Sequence, residues 1–164
     1  SMAGKYIEIT NTDAEGRLTL ADALTYAVKE EKATKLIDIA TLTGAAIVAL
    51  GEKVIATLSS DDDMFAQFDA ASKLASEKIW RLPLEKEYKK MLKSEVADLK
   101  NSPGRPAGTI TASLFLEEFT SGLPWVHLDI AGPSWTDKAS SLCPYGGTGA
   151  GVSLLYHFFK KSSY

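Results

Sequence analysis

The 164-residue sequence is 45% hydrophobic and 24% charged, which excludes a disordered or collagen-like chain and suits one domain or part of one. Eighteen basic residues against twenty-one acidic ones leave a net charge of −3, too little positive charge for a dedicated nucleic-acid module. The uncharged run 39–51 is shorter than the roughly 20 apolar residues that cross a bilayer, so neither nucleic acid nor a membrane is expected as a partner. The single cysteine, Cys143, belongs to no CxxC or Cys/His cluster and points to a reducing compartment, the cytoplasm. Residues 1–3 read as an expression scar ahead of the folded chain.

In chain order, residues 6–10 predict a strand with β-branched Ile7 and Ile9. A polar turn at 11–16 leads into a helix over 18–32 that carries Leu20, Ala23, Leu24, Ala27 and Val28 on one face. Residues 35–40 are largely apolar, as in a strand covered on both faces. A loop at 41–44, a short helix at 45–50 and a strand at 54–59 follow. Ser60 or Asp61 is placed to cap a helix reaching 78, with Phe65, Phe68, Ala71, Leu74 and Ala75 turned inward. Residues 80–83 read as a connector, because Pro83 restricts its neighbour and removes a donor. A short helix at 87–93, a strand at 96–99, a turn-rich stretch at 101–108 and an apolar helix at 110–119 come next. The sequence closes with a strand at 125–130, an irregular loop at 131–148 and a helix at 149–159. Trp80, Trp125 and Trp135 are expected to be packing residues.

Helices alternate with strands throughout, as parallel pairing requires. The expected fold is a three-layer α/β/α domain with a mainly parallel, or mixed, central sheet. Functional groups in such folds collect beyond the carboxyl ends of the strands, which directs attention to 11–17, 41–44 and 131–148.

The segment Asn11-Thr12-Asp13-Ala14-Glu15-Gly16-Arg17-Leu18 holds the clearest chemical pattern. Two carboxylates two positions apart in an extended loop, Asp13 and Glu15, can hold a hard divalent cation. Arg17 is then placed to meet an anion or a developing negative charge beside it. The same residues also fit a capping box, with Thr12 and Glu15 satisfying the first helical N–H groups reciprocally. Acidic residues in a first helical turn need no function beyond the helix dipole. Gly16 is a poor residue inside such a turn. Spacing leaves both readings open.

The octapeptide, continued by Thr19-Leu20-Ala21-Asp22-Ala23-Leu24, resembles the signature of the leucyl (cytosol) aminopeptidase family. Further matching runs are Asp38-Ile39-Ala40-Thr41-Leu42-Thr43-Gly44-Ala45, Ala97-Asp98-Leu99-Lys100-Asn101, Gly108-Thr109-Ile110-Thr111-Ala112 and His127-Leu128-Asp129-Ile130-Ala131-Gly132. The resemblance implies a two-metal exopeptidase acting on peptides, with Asp13 and Glu15 as metal ligands, Glu15 bridging both ions. It implies Arg17 as a catalytic arginine holding bicarbonate, and Thr41, Leu42, Thr43 and Gly44 as backbone that holds the substrate's N-terminal residue. The implied cofactors are two divalent ions, Zn²⁺ or Mn²⁺, with Mg²⁺ or Co²⁺ as further options. The implied assembly is a hexamer. Members of the family carry a lysine and two aspartates of the metal site upstream of the octapeptide. Residues 4–164 are therefore expected to be the C-terminal portion of a catalytic domain, inactive by itself; the alternative is a non-catalytic oligomerisation module.

Other segments have plainer expectations. Asp38, Asp98 and Asp129 lie in or beside strand-like runs and are expected to be structural, and His127 to be a hydrogen-bonded core histidine. The glycines from Gly146 to Gly151 fit neither G-x-G-x-x-G nor a P-loop and read as a tight turn before a helix. The basic residues between Arg81 and Arg105 alternate with Glu85, Glu87, Glu95 and Asp98, as on a solvated, salt-bridged face.

Overall fold

A computed structural model describes residues 1–139 and 143–162, with side chains through 160. The elements are β1 (Ile7–Glu8), α1 (Gly16–Lys29), β2 (Leu36–Ala40), α2 (Gly44–Leu50), β3 (Ile55–Ser59), α3 (Asp62–Ala75) and β4 (Ile79–Arg81), then β5 (Leu99–Lys100), α4 (Gly108–Glu117), β6 (Trp125–Asp129), β7 (Trp135–Thr136), β8 (Gly146–Gly147) and α5 (Val152–Ser162). Two 3₁₀ turns, Thr12–Ala14 and Lys86–Leu92, complete the chain order.

The central sheet runs β2-β6-β3-β4. β6 pairs parallel with β2 and antiparallel with β3, while β3 and β4 are parallel. The sheet is thus mixed and mostly parallel, with helices on both sides. Two small ladders flank it: β1 with β5, parallel, and β7 with β8, antiparallel.

Strand alternation sends neighbouring residues to opposite cores. Trp125 joins Leu36 and the α1 and α4 residues Ala21, Leu24, Leu114, Phe115 and Leu116. Its neighbour Val126 joins Ile55, Leu128, Met64 and Phe68 of α3, and Leu154 and Phe158 of α5. The Phe68 and Phe158 rings stack with centroids 4.2 Å apart. Side chains of this size each contribute roughly 1.5–3 kcal/mol on full burial.

Caps fix several boundaries. Asp61 accepts the Met64 N–H at 2.7 Å and so starts α3, and Ser76 ends it in the left-handed region at φ 56°, short of the expected 78. Gly149 and Gly151 have φ of +73° and +89°, which delays α5 to Val152. The expected connector at 80–83 begins as strand β4: Pro83 lies beyond the paired residues, and the edge position requires only one partner strand. The expected loop 131–148 contains the β7–β8 ladder, and its residues 140–142 lie outside the described residues. Trp125 is fully buried, but Trp80 and Trp135 are 63% and 52% exposed and lie outside the two cores; Trp135 packs edge-on against Tyr145 at 5.5 Å. The basic stretch finds acids at the end of α4 and on α3, where Asp62 takes Arg81 at 2.6 Å. Lys86 and Lys89 meet Glu117, and Glu118 takes Lys89 at 2.6 Å and Lys5 at 2.7 Å; Glu87 takes Lys90 at 3.8 Å.

Candidate active site

The loop that leaves β1 is shaped by its own polar side chains. Asn11 Oδ1 accepts the Asp13 N–H at 3.0 Å and opens the 3₁₀ turn. The turn moves Glu15 to the residue just before α1, where its side chain makes no capping hydrogen bond. The capping box expected of Thr12 and Glu15 is therefore replaced by an asparagine cap one residue earlier. Both Asp13 and Glu15 are exposed. Among the described residues neither carboxylate accepts a hydrogen bond or enters an ion pair.

Arg17, in the first turn of α1, is buried. Its Nη1 donates to the Asn101 carbonyl at 2.7 Å, and its Nε is buried without a partner among the described residues. Burial draws the guanidinium below its ordinary pKa, against the opposing pull of the Asp129 charge.

The loop 41–44 follows β2, and its conformation is set from β6. Asp129 Oδ1 accepts the Leu42 and Thr43 amides at 3.1 and 3.4 Å and the Ala131 amide at 3.2 Å. Its Oδ2 accepts the Thr43 hydroxyl at 2.6 Å. Thr43 Oγ1 also lies 2.8 Å from Thr109 Oγ1 and accepts the Ala46 N–H at 3.1 Å, capping α2. Two of the loop's four amides are thus spent on holding the loop itself.

All seven expected site residues border two adjoining clefts. One, of about 400 Å³, is lined by Asp13, Glu15, Arg17, Thr41 and Leu42. The other, of about 780 Å³, is lined by Asp13, Arg17, Thr43 and Gly44, with Val48 and Ile110 among its apolar residues. The described residues of the third expected segment, 131–148, contribute to neither; several of them line a separate cavity with Ile47 and Glu77.

Behind Arg17, the sheet carries a buried polar pair on the face it shares with Trp125. Asp38 accepts His127 Nδ1 and Trp125 Nε1, each at 2.6 Å. His127 is fully buried. Burial alone lowers its pKa, but the Asp38 charge and hydrogen bond outweigh that and raise it. Asp98 accepts the Tyr6 N–H at 2.7 Å. These three aspartates and His127 are structural, as expected.

A hard divalent ion suits the oxygen donors of Asp13 and Glu15, which are open to the cleft and uncommitted. Two carboxylates are fewer than the roughly six oxygen ligands that such an ion takes. Among the described residues no group of three or more His, Cys, Asp or Glu side chains could hold an ion. Two residues that organise the site, Asn101 and Asp129, had no visible signal in spacing or periodicity, because their partners lie some ninety positions away in the chain.

Similar proteins place the chain in context. Residues 1–156 match the sequence profile of the cytosol aminopeptidase family, catalytic domain. The probable cytosol aminopeptidase of Clostridium perfringens is 56% identical over 161 residues, covering 98% of this chain and 33% of the relative. That of Syntrophotalea carbinolica is 54% identical, with 98% and 32% covered. The chain thus spans about a third of the length of these relatives. Among solved structures, a bottromycin maturation enzyme in complex with Mn superposes with a TM-score of 0.95 at 41% identity, over 99% of this chain and 37% of that one. A K354E mutant of tomato leucine aminopeptidase gives 0.92 at 44%, over 98% and 31%.

Proposed function

Because the chain belongs to the cytosol aminopeptidase family, we propose that it forms part of a metal-dependent aminopeptidase that hydrolyses N-terminal residues from peptides in the cytoplasm. The observation that carries this reading is the convergence of two uncommitted carboxylates, Asp13 and Glu15, and the buried Arg17 on one cleft beside the loop Thr41–Gly44.

Asp13 and Glu15 are the residues that would hold a divalent metal through their carboxylate oxygens. The ions are Mn²⁺ or Zn²⁺, with Mg²⁺ or Co²⁺ as further options, and the Mn-bound neighbour supports a divalent ion in this fold. When bound, such ions supply a nucleophile at neutral pH and Lewis acidity toward the scissile carbonyl. Arg17 keeps a fixed positive charge at the cleft wall, which suits a small anion such as bicarbonate; bound there, that anion would supply a general base. The backbone of Thr41, Leu42, Thr43 and Gly44, held by Asp129, positions the substrate's first residue. Such positioning accounts for a large share of catalysis when the geometry is rigid.

The 164-residue chain alone turns over little substrate, since a two-ion mechanism needs a complete shell holding ions roughly 3.5–4 Å apart. The active assembly is a homo-oligomer, a hexamer. The test is hydrolysis of a leucine chromogenic amide with Mn²⁺ or Zn²⁺, together with Mn²⁺ binding. Weak binding that disappears in D13A and E15A, with negligible turnover, is the expected result. Turnover matching a full-length relative overturns the partial-shell account, and binding indifferent to both substitutions overturns the metal assignment.

A further inference from the structure

Asn101 follows β5, and the parallel β1–β5 ladder delivers it beneath the octapeptide: its N–H donates to the Glu8 carbonyl at 2.9 Å. The side chain is fully buried, and every polar atom on it is spent on one loop. Oδ1 accepts the Thr10 amide at 3.0 Å, the Thr10 hydroxyl at 3.3 Å and the Asn11 amide at 3.3 Å. Nδ2 donates to the Asn11 carbonyl at 2.7 Å and the Ala14 carbonyl at 3.3 Å. The Asn101 backbone carbonyl is the acceptor for Arg17 Nη1 at 2.7 Å. One residue therefore grips the loop on both sides of Asp13 and also holds the guanidinium.

We infer that Asn101 is the positioning residue of the site, fixing the carboxylate-bearing loop and Arg17 relative to one another as a single unit. This rests on the metal-dependent reading above. The chemistry is specific to asparagine. An amide offers two donors and an acceptor at one reach. Aspartate of the same shape keeps the acceptor but turns both donors into lone pairs facing the Asn11 and Ala14 carbonyls. Serine is too short to span both. Neither the Asp13 nor the Glu15 carboxylate has a protein partner of its own among the described residues, so their placement depends on the backbone beneath them. Displacements of about 1 Å are costly at sites of this kind.

The test uses the 164-residue chain in the N101D and N101S forms, with F68L as a variant that disturbs the distant α3–α5 core. The readouts are Mn²⁺ affinity from paramagnetic broadening of loop amides, and the Arg17 guanidinium NMR spectrum. The wild type should show slowly exchanging Asn101 Nδ2 protons and resolved Arg17 Nη signals. N101D and N101S should lose both features and bind Mn²⁺ at least tenfold more weakly under conditions where they remain folded, while F68L keeps the wild-type affinity. Wild-type-like Mn²⁺ affinity and Arg17 spectra in N101D or N101S overturn the proposal, as does rapid Nδ2 exchange in the wild type itself, a measurement that no misfolded variant can obscure. Absence of any Mn²⁺ effect at the wild-type loop overturns the metal reading instead, and the exchange and guanidinium spectra then still decide the role of Asn101.

Discussion

Asp129 Oδ2 accepts the Thr43 hydroxyl at 2.6 Å, joining the end of β6 to the loop after β2 in a fully buried carboxylate that collects four donors. Removing the carboxylate leaves those donors unsatisfied. D129A is expected to cost about 3 kcal/mol, and T43V, which deletes one hydroxyl from the set, about 1–2 kcal/mol. Urea denaturation measures both. A T43V variant as stable as the wild type contradicts the assignment.

The Asp38–His127 pair makes stability depend on pH. Burial lowers the imidazole pKa, but Asp38 raises it more, Asp129 adds to the rise and Arg17 opposes it, so the net shift is upward from 6.5. A group raised in the folded state contributes its full stabilisation below its unfolded value and loses it as pH climbs through the folded value. The unfolding free energy from urea titrations should therefore fall from about pH 6.5 upward, with a slope of up to ~1.4 kcal/mol per pH unit. D38N should flatten the profile. A stability that rises across that range is incompatible with the pair.

Gly132 is fixed by close approach. A β-carbon there would run into the Gly51 carbonyl, a backbone group with no room to yield. G132A should destabilise by about 1–3 kcal/mol, whereas G147A, which points into open space, should stay within about 0.5 kcal/mol. Thermal unfolding of the two variants side by side checks the contrast; equal melting temperatures contradict it.

The readable parts of the sequence were those with local causes. Helical periodicity marked α1 and α3, while apolar runs marked α4 and, at 35–40, β2. Gly149 and Gly151 betrayed a turn before α5, though not that their positive φ delays its start. Strand β4 escaped because Pro83 suggested a connector, while the pairing that makes it a strand comes from β3. The mixed pairing around β6 depends on contacts between residues tens of positions apart. At the site, residue type and spacing marked Asp13, Glu15 and Arg17 as candidates but left cap and metal readings open, and the choice between them came from the family resemblance. Asn101 and Asp129 stayed silent because a buried amide or carboxylate has no period of its own; its role exists only once the chain has folded around it. That the Glu15 side chain does not cap α1 was also unreadable locally, and follows from the 3₁₀ turn that Asn11 opens.

Arg17 provides a further check. R17M removes the buried charge next to Asp129 and the hydrogen bond to Asn101. Mn²⁺ affinity should change little, because Asp13 and Glu15 stay in place, while binding of bicarbonate at the cleft, followed by carbon-13 NMR, should be lost. Loss of Mn²⁺ with bicarbonate retained reverses the roles assigned here.

The most direct measurement is Mn²⁺-induced broadening of the amide spectrum of the wild-type chain and of the D13A/E15A double variant. Broadening centred on residues 13–17 and 41–42, abolished in the double variant while the rest of the spectrum is unchanged, is the predicted result. Broadening centred elsewhere, or left intact by the two substitutions, contradicts the metal site.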